Sequence, residues 1–125
     1  DLDEALKIGE RISILRDGSV VQDDDPQKII LTPSDNYVSD FIKDINRSRV
    51  IKAKSIMTKS VSIKKENVPI ISCDMVLEEV LQEITKTKKY YVLVKNNKGK
   101  IIGRITLNEL LTGIQRPRKE IKKYA

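Results

Sequence analysis

The side chains best placed for chemistry in this chain of 125 residues are few, and they do not form a catalytic set. Thr106 and Glu109 stand three positions apart, just ahead of Leu110 and Leu111. A hydroxyl and a carboxylate at that spacing make a capping box, each satisfying a backbone N–H that the first turn of a helix leaves free. Asp23, Asp24 and Asp25 run together before Pro26. In such a loop, carboxylates are expected to serve solvation and helix capping rather than a Mg²⁺ or Ca²⁺ ion. Asp1, Asp3 and Glu4 gather at another helix start, where the macrodipole stabilises acids whatever their function. The chain has no histidine, which excludes histidine general-base catalysis and histidine-ligated zinc. Its single cysteine, Cys73, excludes an internal disulfide and a cysteine-rich metal site, and is expected to be a buried structural thiol in a reducing cytoplasm. No catalytic residue and no metal ligand is expected.

The elements that must carry these residues follow from periodicity and turn chemistry. A helix from Asp1-Leu2-Asp3-Glu4-Ala5 leads to a strand at Arg11–Leu15, a turn at Arg16-Asp17-Gly18-Ser19 and a return through Val20-Val21-Gln22. Helices are expected from Pro26 and from Asn36. Further on, Asp74 is placed to cap a helix whose apolar positions Val76, Leu77, Val80, Leu81 and Ile84 recur along one face. Val61-Ser62-Ile63 alternates loosely. Tyr90-Tyr91-Val92-Leu93-Val94 reads as a strand, and Asn96-Asn97-Lys98-Gly99 turns it into a partner at residues 100–105. The Thr106 helix follows. The fold class is therefore α+β.

Charge divides the chain. Residues 1–46 hold eleven acids and five bases, a balance of −6, whereas residues 47–125 hold seven acids and nineteen bases, a balance of +12. Three segments result: 1–46, 47–114 and a basic tail at 115–125, with Asn46-Arg47-Ser48-Arg49 expected as a linker. In the second segment the bases are scattered and no paired aromatic platform accompanies them, so no nucleic-acid partner is expected. In the tail, Arg116, Arg118, Lys119, Lys122 and Lys123 are candidates for contact with an anionic lipid surface.

Two family resemblances attach to these segments. The wording of residues 1–42, with Asn36-Tyr37-Val38-Ser39-Asp40-Phe41-Ile42 at its end, resembles the end of an ABC-transporter ATPase domain. The strand–helix–strand–strand–helix order of 47–114 resembles one CBS motif. Gly103, Thr106 and Glu109 fall on the key positions of the family's Gly-h-h-Ser/Thr-x-x-Asp signature, h being apolar. Arg104 and Glu109 depart from it. The fold implied is a CBS-like β-α-β-β-α unit preceded by a small α/β tail of an ABC ATPase domain.

Jointly, the two resemble the ATP-binding subunit of glycine betaine, proline and other quaternary-amine importers. The resemblance implies a regulatory region that gates uptake by ionic strength or a ligand, at the cytoplasmic face of the membrane beside the transporter's membrane subunits. It implies ATP and Mg²⁺ in the parent subunit and no cofactor in this piece, which lacks the phosphate-binding loop and signature sequence of an ATPase and is not expected to be an enzyme. It makes an adenine nucleotide the candidate ligand of Gly103, Thr106 and Glu109. CBS motifs work in pairs, so the single copy here implies a homodimer formed through the CBS sheets. The hairpin of the first segment, without a larger sheet to join, is expected to be mobile or docked on another copy.

Overall fold

The computed structural model of the chain describes residues 2–59 and 67–116. Helix α1 (Leu2–Ile8) precedes an antiparallel hairpin of β1 (Ile12–Arg16) and β2 (Ser19–Asp24). Its turn has positive φ at both Asp17 and Gly18, the conformation that matches the twist of a tight hairpin and that an Asp-Gly pair tolerates. Helices α2 (Pro26–Leu31) and α3 (Asn36–Ile42) follow. The Oδ1 of Asp25 accepts from the Gln27 N–H, so the acidic run does cap a helix, as its position predicts. Asp23 pairs with Arg11 at 2.8 Å, and Asp24 accepts from Gln22.

The stretch read as a linker is instead ordered. Residues 47–50 form a short helix, α4 (Arg47–Val50), and α5 (Ala53–Ile56) comes almost at once. Val50, Ile51 and Ala53 are all buried, so the chain here needs apolar burial more than flexibility. A four-stranded sheet in the order β3-β6-β5-β4 then forms from β3 (Thr58–Lys59), β4 (Ile70–Ser72), β5 (Tyr91–Lys95) and β6 (Ile101–Thr106). β5 and β6 are an antiparallel hairpin, β4 lies parallel to β5, and β3 lies antiparallel to β6. Helix α6 (Leu77–Thr87) provides the β4-to-β5 crossover, and α7 (Leu107–Ile114) follows β6. The segment Val61-Ser62-Ile63 lies outside the described residues.

Helix α6 buries Leu77, Val80 and Ile84, the face its spacing predicts. Its N-cap, however, is Val76, with no side-chain cap. Asp74 sits too early, because Val76 is first held extended by its bridge to Lys52, and its carboxylate pairs instead with Lys54 at 3.1 Å.

One cluster of buried residues runs through both halves of the chain. Leu6, Ile14, Ile29 and Ile30 belong to it together with Val50, Ile51, Leu77 and Val92. The boundary at residue 46 is therefore no break in packing. Nor is the apolar side of the first hairpin uncovered, since Ile14 is 4% exposed and Ile12 packs against the same cluster.

Candidate functional site

Gly103, Thr106 and Glu109 come together where β6 runs into α7. The capping box is complete: Thr106 Oγ1 accepts from the Glu109 N–H at 3.1 Å, and Glu109 Oε1 accepts from the Thr106 N–H at 3.1 Å. The Thr106 hydroxyl also donates to Glu109 Oε1, at 2.9 Å. The other carboxylate oxygen, Oε2, accepts from the Thr58 hydroxyl at 2.7 Å. Glu109 thus ties α7 to its own first turn and to strand β3 at once. Glutamate, one methylene longer than the aspartate of the signature, has the reach for this double role.

Burial pushes the Glu109 carboxyl up, but donors from Thr58 and from the Thr106 backbone and hydroxyl, with the charge of Arg104, hold it below the ordinary glutamate value. Arg104, the other departure from the signature, is exposed, with its guanidinium carbon 5.8 Å from the ring centroid of Tyr91. A charged residue is tolerated there because the side chain points away from the core and lies over an aromatic face.

Gly103 is buried for a reason of packing. A Cβ there would stand 2.6 Å from Met57 Sδ and 2.9 Å from the carbonyl oxygen of Thr58, so only glycine lets β3 lie this close to β6. Thr58 carries no signal in the sequence as part of the site, because its partner lies fifty-one residues along the chain. Of the tail residues, Arg116 is described: its Nη2 is 3.8 Å from Asp44 Oδ1 and its side chain is 67% exposed. Arg118, Lys119, Lys122 and Lys123 lie outside the described residues, as does Asp1. Among the described residues no group of three or more histidine, cysteine or acidic residues is placed to hold a metal ion. Cys73 is buried and unpaired. No helix among the described residues is long and apolar enough to cross a membrane.

Two further features position α4 and α2 on the CBS unit. Within residues 47–114, Arg47 Nε donates to the Gly113 carbonyl oxygen at 3.0 Å, near the C-terminus of α7, where a cation is favoured by the dipole; burial lowers the pKa of this guanidinium. The side-chain amide of Gln27, only 9% exposed, reaches from α2 to the chain at Val50, Lys52 and Ser55.

Residues 53–116 match the family model described as the CBS domain, and the chain belongs to that family. Over 59 residues it is 51% identical to the glycine betaine/carnitine transport ATP-binding protein of Listeria monocytogenes, covering 47% of this chain and 15% of that one. Over 115 residues it is 32% identical to the glycine betaine/proline betaine transport system ATP-binding protein of Escherichia coli, covering 91% of this chain and 28% of that one. The chain therefore spans well under a third of the length of these relatives. Among solved structures it is similar to a CBS-domain pair with bound AMP from Klebsiella pneumoniae, with a TM-score of 0.35 and 16% identity over 89% of this chain and 77% of that one.

Proposed function

We propose that this chain is the regulatory region of the ATP-binding subunit of an ABC importer for glycine betaine or a related quaternary amine. In this reading residues 1–46 are the end of the ATPase domain, 47–114 the CBS motif and 115–125 a basic tail. The observation that carries the proposal is the similarity to the Escherichia coli betaine subunit, which runs through both halves of the chain. The shared core supports it, because a regulatory unit acts on an ATPase domain only if the two are mechanically joined.

The region carries no ATPase chemistry of its own; in the parent subunit ATP and Mg²⁺ are handled elsewhere. It works at the cytoplasmic face of the membrane, next to the transporter's membrane subunits. Two copies pair through their CBS sheets, and the basic tail meets anionic lipid at low ionic strength and leaves it as salt screens the attraction. Gly103, Thr106 and Glu109 serve this unit as its internal tie between β3, β6 and α7. The Thr106 and Glu109 side chains make their hydrogen bonds within the chain, which favours this role over adenine-nucleotide binding.

The test is replacement of the matching segment of the Escherichia coli subunit by this chain in cells lacking the native one. Glycine betaine uptake that is restored and rises with medium osmolality supports the proposal. Restored uptake that ignores osmolality, or none despite normal expression, contradicts it.

A further inference from the structure

The Gln27 side chain behaves as a missing neighbouring strand. Its Nε2 donates to the Val50 carbonyl at 2.9 Å while its Oε1 accepts from the Lys52 N–H at 2.9 Å. A carbonyl and an N–H two residues apart on one edge of an extended chain are what the N–H and C=O of one residue on a neighbouring parallel strand would bond. The opposite edge is already taken: the Ile51 carbonyl accepts from the Leu77 N–H, the Ala53 N–H donates to the Met75 carbonyl, and Lys52 bridges Val76. The Ser55 hydroxyl adds a third bond to the amide, donating to Oε1 at 2.7 Å.

The Gln27 amide makes three buried or half-buried hydrogen bonds between residues 2–46 and 50–116, whereas the Asp44–Arg116 pair is exposed and 3.8 Å long. Clefts of about 500 and 280 Å³ flank it, both lined by Asp25, Gln27 and Lys54. Apolar contact is non-directional and permits sliding, whereas three hydrogen bonds to one planar amide fix an orientation.

We propose that Gln27 is a latch: it sets the orientation of residues 2–46 on the CBS unit, and its release lets that orientation shift over the shared apolar contact without unfolding either. The latch is a positioning device of this chain and does not depend on the importer reading.

The experiment uses the intact chain and two variants, Gln27→Leu, which removes all three bonds, and Gln27→Asn, which is one methylene too short to span them. Hydrogen exchange at the Lys52 amide reads the latch, and exchange at the Leu93 amide, bonded to the Pro69 carbonyl within the CBS sheet, reads the unit's own integrity. Spin labels at Ser19 and Lys98, in the two hairpins, report relative orientation. The latch predicts exchange at Lys52 faster by about tenfold or more, unchanged exchange at Leu93, and a broadened label distance in whichever variant folds. Unchanged exchange at Lys52, or equal acceleration at Lys52 and Leu93, overturns it. Failure of both variants to fold also overturns it, because Gln27 would then be a core residue of one inseparable body.

Discussion

The Thr58 hydroxyl donates to Glu109 Oε2 at 2.7 Å across fifty-one residues of chain, fastening strand β3 to the helix that the CBS signature opens. The same carboxylate closes the capping box with Thr106, so one side chain holds three elements in register.

Loss of this carboxylate has a stated cost. Glu109→Ala removes half of the capping box and the Thr58 acceptor, and is expected to cost about 1–2 kcal/mol of stability. Chemical denaturation of both chains measures it. Glu109→Asp keeps the charge but draws it back by one methylene, and its loss should fall between those of wild type and alanine.

The pH dependence follows from the depressed pKa of Glu109. A carboxyl held below its unfolded value contributes stability that is fully present above the unfolded pKa and lost as pH falls through the folded one. Acidification below the ordinary glutamate range should therefore destabilise wild type more than Glu109→Gln. Melting temperatures of the two proteins across an acid series should converge as pH falls.

Gly103→Ala tests the close approach of β3 to β6. Met57 Sδ can yield, but the Thr58 carbonyl is backbone, so about 1–3 kcal/mol of destabilisation is expected. Shortening the sulfur-bearing chain in Gly103→Ala/Met57→Ala should recover none of the part that arises from the Thr58 carbonyl. Thermal melts of the single and double variants separate the two contributions.

Local chemistry was legible and distant chemistry was not. The Thr106–Glu109 box could be read because both partners lie within one helical turn, and the Asp17-Gly18 and Asn96–Gly99 turns because their residues dictate φ. Thr58 and Gln27 carry no local signal, because each is defined by a partner on another element. Propensity predicts Asp74 as a cap, but the bridge to Lys52 holds Val76 extended and starts the helix two residues later. Polarity alone predicts a linker at 46–49, while the burial of Val50 and Ile51 beside it makes the chain there a short helix.

Assembly is testable with substitutions that spare the core. Val92 and Leu93 are both buried, so a charge at either tests folding rather than pairing. Ile70, at 38% exposure on the outer strand β4, is the better probe. Light scattering should give about twice the chain mass for wild type at micromolar concentration. Ile70→Lys is expected to shift it toward the monomer with an unchanged melting temperature.

The basic tail predicts a salt series. Cosedimentation with anionic vesicles should be strong at low salt and fade as the Debye length shrinks toward about 8 Å at physiological ionic strength. Each base near the surface contributes on the order of 1 kcal/mol, so neutralising Arg116, Arg118, Lys119, Lys122 and Lys123 together should abolish binding. Neutral vesicles should not bind at any salt concentration.

The most direct measurement is ATP hydrolysis by the chimeric Escherichia coli importer, carrying this chain as its matching segment, reconstituted in anionic proteoliposomes and assayed against salt on the side that bears the ATP-binding subunit. The account predicts hydrolysis that is low at low ionic strength and rises as salt increases, with the rise lost when the five tail bases are neutralised. Hydrolysis that is independent of salt, equal to that of an importer truncated after the part matching residues 1–46, would contradict it.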